Sequence, residues 1–258
     1  MADAPATRLP GPVPTRFHTI DWFRTIDSTN RHLLDLARTD GPDGLVAIAD
    51  EQLAGRGRLG RTWQAPVGAS LLVSVLVRPS VAPEEWPTLV GAAGIAAVEV
   101  LTVLCDLPAR LKWPNDVVVG DAKIAGVLAE STGSAVVVGM GLNVTWSEVP
   151  PDLAGIATAV SLAGGRVQPR LLLLHEWLRR LDHWLHLLEH DPRGESILRH
   201  AQRARSATLG RRVRVDLTDT SFEGVAHALA PNGHLVVRAD DGTRHDVSTG
   251  DVVHLRPV

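Results

Sequence analysis

The hydrophobic pattern of this chain changes period near residue 205, and any fold must satisfy both periods. From Pro169 to His190, Leu174, Trp177, Leu178, Leu181, Leu185 and Leu188 fall on one stripe at helical spacing. After Arg205 the texture becomes short alternating runs (RVRVDL, EGVAHAL, HLVVRAD, RHDVST, DVVHL) separated by turn pairs such as Asn232-Gly233 and Asp241-Gly242. A long amphipathic helix followed by a small antiparallel barrel requires two units, with a boundary expected at 204–207.

Upstream of that boundary strands and helices mix, which gives an α+β class. Strands are expected at 20–26, 45–51, 70–78, 109–113, 116–119, 123–130 and 134–140. A helix is expected after Asp27-Ser28-Thr29-Asn30, with Leu33, Leu36 and Ala37 on one face and a stop at Gly41-Pro42. Pro87 suits the first turn of a second helix over about 87–105. Its apolar run 89–105 is short, is broken by Glu99 and meets Asp106 at its end, so it reads as a buried helix and not a membrane span. Residues 1–17 are rich in Pro and Ala without a continuous apolar core, the texture of a disordered leader. The division is therefore a leader (1–17), a catalytic-sized domain (18–204) and a C-terminal barrel (205–258).

A formal charge of −3 argues against a general binder of nucleic acid or anionic membrane, so cations that matter must act locally. Cys105, the single cysteine, excludes an internal disulfide framework and sits among apolar neighbours as a core residue. A cytoplasmic protein follows most simply. His183, His186 and His190 share helical spacing, but they lie among Leu and Trp without an evident fourth ligand, so no metal site is assigned to them.

Chemistry concentrates at residues 55–61, Gly-Arg-Gly-Arg-Leu-Gly-Arg. Glycine lets backbone N–H groups approach a ligand and arginine supplies forked donors for carboxylate or phosphate, so this is an anion-binding loop. A flexible surface turn is the plainer alternative. The spacing Gly55, Gly57, Gly60 formally matches a dinucleotide fingerprint, but Pro66 and Gly68 follow and the next element is a strand. No helix N-terminus is available for a pyrophosphate, and that reading fails. Asp27-Ser28-Thr29-Asn30 serves equally as a plain N-cap. Lys112-Trp113-Pro114-Asn115-Asp116 places a cation, an amide and a carboxylate at a turn that would not need Lys or Trp. Lys123 opens an apolar strand, where a solvated strand end is the bland reading.

Ser28-Thr29-Asn30, Gln52, the loop 55–61 with Trp63, the run 112–116, Lys123-x-x-Gly126 and Gly139-Met140-Gly141-Leu142-Asn143 together resemble the biotin–protein ligases in order and spacing over about residues 18–258. The resemblance implies a catalytic domain like that of class II aminoacyl-tRNA synthetases and biotinyl/lipoyl ligases, with an SH3-like C-terminal barrel. It also implies ATP-dependent conversion of biotin to biotinoyl-5′-AMP and transfer to a lysine of a biotin carboxyl-carrier domain. Ser28, Thr29, Asn30 and Gln52 would bind the ureido head, with Gly126 beside it. Arg56, Gly57 and Arg58 would fold over the ligand, and Trp63 would add an apolar wall. Lys123 would reach the biotin carboxylate and the α-phosphate. Arg58, Arg61, Lys112, Asn115 and Asn143 would face the nucleotide, whose Mg²⁺ travels with the ATP. Asp116 is the candidate to receive the acceptor lysine. The family's compact Ala-Thr-Ser-Leu is spread out here as Ala157-Thr158-Ala159-Val160-Ser161-Leu162, so adenine contacts do not carry over to that segment.

Fewer than thirty residues precede Ser28, too few for the winged helix of bifunctional relatives, so a monofunctional enzyme without a nucleic-acid partner is expected. A lipoate–protein ligase would show an Arg-Arg-x-Gly-Gly-Gly run, absent here. An inactive binding module would not need Lys123, Arg58 and Asn115 together. The catalytic sheet offers an edge strand either to a second copy, as a homodimer, or to the acceptor; monomer and dimer stay open.

Overall fold

The computed structural model describes residues 7–217, 220–230, 232–248 and 250–254. Its first element contradicts the leader. Strand β1 (Thr7–Pro10) pairs antiparallel with β2 (Thr19–Ile26), and Phe17 between them is fully buried. Arg16 bridges to Asp182 at 3.0 Å and Glu189 at 2.5 Å. Composition suggested disorder, but one aromatic and one bridging arginine suffice to tie the segment down; residues 1–6 lie outside the described part.

Ser28 caps α1 (Thr29–Arg38), its side chain accepting from the Arg31 N–H at 3.4 Å. The helix ends at Arg38, before the expected stop, because Asp40 takes a left-handed turn and Gly41 N–H returns to Leu36 O at 2.8 Å. Then come β3 (Leu45–Gln52) and β4 (Ser70–Val77), the latter buried at every residue. Helix α2 (Pro87–Cys105) follows, with strands β5 (Ala109–Lys112), β6 (Asp116–Val119), β7 (Ala122–Thr132) and β8 (Ala135–Asn143). After α3 (Arg170–His190) the chain makes α4 (Gly194–Ala204), a helix not among those expected from the sequence.

The eight strands run β1-β2-β3-β4-β8-β7-β6-β5, parallel between β2 and β3 and antiparallel elsewhere. One face packs on α2, α3 and α4 through residues such as Val75, Ile95, Leu101, Ile124, Trp177 and Leu198. Helix α2 is long and apolar enough to cross a bilayer by length and composition, yet Leu89, Ile95 and Leu101 are wholly buried in this core. Leu188, expected on the α3 stripe, is only partly buried. The other face carries α1 over Phe23, Ala47, Leu76 and Val137. Side chains alternate along β8, so Gly139, Gly141 and Asn143 share the face of Val137, beyond the N-terminus of α1. That part of the sheet is where the site lies.

The last strands, β9 (Arg212–Asp216), β10 (Ser221–Leu229), β11 (Leu235–Ala239), β12 (Arg244–Val247) and β13 (Asp251–His254), form an antiparallel sheet in the order β12-β11-β10-β9-β13. Among the described residues β12 and β13 do not pair, so the sheet is open there. Its core of Val213, Val215, Ala226, Leu235, Val237 and Val252 also receives Trp113. Residues 205–207 extend the edge at β5, with Leu111 N–H donating to Arg205 O at 2.8 Å and Ala207 N–H to Leu111 O at 2.7 Å.

Candidate active site

A cavity of about 410 Å³ opens on the α1 face of the sheet. Ser28, Thr29, Asn30, Gln52, Arg56, Gly57, Arg58, Arg61, Trp63, Lys112, Asn115, Asp116, Lys123, Gly126 and Asn143 all line it, so the residues given a role in the resemblance come together, while Asp27, Gly55, Leu59, Gly60 and Leu142 of the same motifs stand outside the wall. Ser74, Trp146, Ile156, Val252 and Val253 line it too, and sequence reasoning missed these.

At one end the start of α1 meets β3 and β4. Thr29 N–H donates to Gln52 Oε1 at 2.8 Å, and Thr29 Oγ1 lies 3.0 Å from that oxygen and 2.7 Å from Ser74 Oγ. Ser74 Oγ in turn donates to Asn30 Oδ1 at 2.6 Å. Ser28, Thr29, Asn30 and Ser74 are all at least nine-tenths buried, so these polar groups hold one another as burial demands. The only hint of Ser74 in the sequence was a hydroxyl amid the apolar run of β4.

The floor is made of glycine. A Cβ on Gly139 would stand 2.1 Å from Asn30 Oδ1, and one on Gly141 2.3 Å from Trp63 Cε2. Over this floor folds the arginine–glycine segment, which is a small hairpin and not a loose thread. Trp63 N–H donates to Gly55 O at 2.9 Å, Gly57 N–H to Arg61 O at 2.7 Å, and Arg56 bridges Thr62. A single 3-10 turn at Arg58–Gly60 lets the chain reverse, with Leu59 and Gly60 at positive φ. No helix begins inside it, so the dinucleotide alternative has no pyrophosphate seat.

At the opposite end β5 and β6 form a hairpin that pairs Lys112 with Asp116, leaving Trp113-Pro114-Asn115 as its turn. Lys123 Nζ is 2.7 Å from Asp116 Oδ1 and 5.2 Å above the Trp63 ring, held by an ion pair and a cation–π contact. Asn115 donates to Val127 O at 2.7 Å and receives Arg58 Nη1 at 3.4 Å, so the hairpin and the arginine loop touch. Asn143 Nδ2 donates to Thr158 O at 2.9 Å, while its Oδ1 is buried without a partner. Segment 156–158 runs beside the start of β7, with Lys123 N–H on Ile156 O at 2.8 Å, and so brings Ile156 and Ala157 to the wall. One end thus offers a neutral hydrogen-bonding set and the other a cluster of cations, the arrangement an uncharged polar head attached to an anionic tail would need.

Known proteins agree. Residues 22–145 match the model of the Biotin/lipoate A/B protein ligase family, and 208–255 that of the Biotin protein ligase C terminal domain. A biotin--[acetyl-CoA-carboxylase] ligase of Mycobacterium tuberculosis is 40% identical over 92% of this chain and 89% of its own length. The bifunctional ligase/repressor of Escherichia coli is 31% identical over 83% of this chain and 68% of its own. The biotin protein ligase of Aquifex aeolicus, solved with biotin and ATP, superposes with a TM-score of 0.80 at 26% identity, covering 92% of this chain and 99% of that one. By fold, by cavity and by relatedness, this chain belongs to the biotin protein ligase family.

Proposed function

We propose that this chain activates biotin with ATP to biotinoyl-5′-AMP and transfers the biotinoyl group to a lysine of a carboxyl-carrier domain. The observation that carries this reading is the two-ended cavity, with Ser28, Thr29, Asn30 and Gln52 at one end and Lys123, Lys112 and Arg58 at the other. A urea head presents two N–H donors and a carbonyl, which suits the buried amides and hydroxyls. A carboxylate and an α-phosphate repel each other, so joining them calls for cations held in place beforehand. Lys123 fits that role because its ion pair and Trp63 hold the ammonium beside the hairpin turn.

In the first step a biotin carboxylate oxygen attacks the α-phosphorus and pyrophosphate leaves. Lys123 then exchanges Asp116 for the new anionic centre. In the second step the acceptor amine attacks the carbonyl carbon, AMP leaves, and Asp116, released from Lys123, takes the amine proton. Arg58 and Arg61 keep the mixed anhydride covered, while Lys112, Asn115 and the unpartnered Asn143 Oδ1 face the nucleotide. Mg²⁺ fits as a passenger of the triphosphate, since Asp116 is the one carboxylate on the cavity wall among the described residues. A cytoplasmic setting suits a chain whose single cysteine is buried and unpaired. The carrier domain brings its lysine to this mouth, and an edge strand of the catalytic sheet is the surface offered to it or to a second copy.

The deciding experiment mixes the protein with biotin, ATP, Mg²⁺ and an apo carrier domain. We expect pyrophosphate release that needs both small substrates, and a streptavidin-reactive carrier. No biotin-dependent pyrophosphate would refute the activation step.

A further inference from the structure

Glu130 stands on β7 outside the cavity wall, and no motif includes it. Its side chain is three-quarters buried and joins two functional segments: Oε2 accepts from Asn30 Nδ2 at 2.9 Å and Oε1 from Arg56 Nη1 at 2.9 Å. An ionised carboxylate accepts and never donates, so the Asn30 amide has one compatible orientation, nitrogen toward Glu130 and oxygen away. That oxygen receives the Ser74 hydroxyl at 2.6 Å and lies over Gly139, on the cavity floor. With the Ser74 proton committed to Asn30, Ser74 Oγ is an acceptor toward Thr29 Oγ1 at 2.7 Å. Gln52 Oε1 is occupied by the Thr29 N–H at 2.8 Å, which leaves the Gln52 NH₂ group as that amide's donor to a ligand. Glu130 thereby sets the direction of the Asn30–Ser74 contact, whereas Gln52 takes its orientation from the Thr29 backbone N–H and the single Thr29 hydroxyl proton has two acceptors in reach, Ser74 Oγ at 2.7 Å and Gln52 Oε1 at 3.0 Å.

We propose that Glu130 is a positioning residue for biotin: by orienting the Asn30 amide it fixes the polarity of the Asn30–Ser74 pair, so that the cavity floor presents their oxygens to the ureido N–H groups. The proposal rests on biotin being the substrate. Arg56 is half-exposed, and its ion pair is screened, so the contact to Asn30 carries the effect.

The test is steady-state pyrophosphate release with biotin and ATP varied separately. A wild-type enzyme silent with biotin would refute the functional reading itself; an active one isolates the question of Glu130. Glu130→Ala is expected to raise the biotin KM roughly ten- to hundredfold, the range for a lost charge-assisted hydrogen bond, and Glu130→Gln, whose amide can turn either its oxygen or its nitrogen to Asn30, to raise it by a smaller factor. The KM for ATP and the melting temperature should stay within twofold and within a few degrees. Asn30→Asp alone sets two carboxylates against each other. Adding Glu130→Gln to it restores a donor–acceptor pair of the opposite sense with an oxygen still over Gly139, and should recover at least part of the loss. The proposal is overturned by an unchanged biotin KM in both Glu130 variants. Parallel losses in both KM values and in melting temperature, or a double variant no better than Asn30→Asp, would overturn it as well.

Discussion

At the scale of single residues, the cavity owes its depth to side chains that are missing. Gly141→Ala places a Cβ 2.3 Å from the Trp63 indole, closer than any real contact, so the ring must leave the floor and with it its place beneath Lys123. We expect biotin affinity to fall about tenfold or more, read by calorimetry, while the fold persists because a ring on the cavity side has room to move. Arg58 works from above. A charge-assisted hydrogen bond contributes about 1.5–3 kcal/mol, so Arg58→Gly should speed adenylate loss about ten- to hundredfold and label bystander proteins indiscriminately. Unchanged retention of biotinoyl-adenylate on a desalting column would contradict this. These residues were legible in the chain because glycines and charges cluster where a core segment would have neither. Ser74 and Glu130 were not, since a lone hydroxyl in β4 and a lone acid near the end of β7 each look ordinary until the fold sets them beside Asn30.

Elements supply what no single motif does. The hairpin of β5 and β6 is anchored from the far end of the chain: Trp113 packs into the core of the second sheet, its Nε1 donates to Gly233 O at 3.0 Å, and its backbone N–H donates to Thr208 Oγ1 at 3.1 Å. Beside it, His254 of β13 sits 3.1 Å from Thr208 Oγ1 and 3.1 Å from Arg211 Nη1, and Arg211 pairs with Asp121 in the β6–β7 turn at 2.5 Å. Burial, with Lys112 and Arg211 nearby, pushes the His254 pKa down to about 4, against the weaker pull of Asp121. The folded protein therefore holds His254 neutral where the unfolded chain, near 6.5, binds a proton. Stability should be full above pH 7 and drain away as pH falls toward 4, by on the order of 2–3 kcal/mol. Denaturant titrations at stepped pH check this: His254→Gln should flatten the slope between pH 7 and 4, and an unchanged slope would exclude His254 as its source. Periodicity found the long elements, such as β4, α2 and α3, because each buries one face over many residues. It passed over α4, whose buried face amounts to Gly194, Leu198 and Ala201, and over β1, whose four residues carry no alternation. Nor could local pattern reveal that Trp113 belongs to a different sheet from its neighbours.

For the molecule as a whole, the stretch before β2 acts as a strap. Gly11 N–H reaches His18 O at 3.0 Å, Phe17 enters the main core, and Arg16 spans from Asp43, between α1 and β3, to Asp182 and Glu189 on α3. These contacts join the first strands to the last long helix, and none of these residues lines the cavity. Stability and chemistry should therefore separate. Phe17→Ala removes a fully buried ring and should cost about 3–5 kcal/mol. Arg16→Ala leaves the Glu189 carboxylate, only 6% exposed, without its guanidinium, and should cost a similar ~3–5 kcal/mol. Both variants should keep the wild-type biotin KM at temperatures where they remain folded. Chemical denaturation gives the first quantity and pyrophosphate release the second. Were residues 7–17 part of a loose leader, as the prolines and alanines of 1–17 suggest, both substitutions would leave the unfolding midpoint where it was; a large shift in midpoint with an unmoved KM is what a strap remote from the site requires.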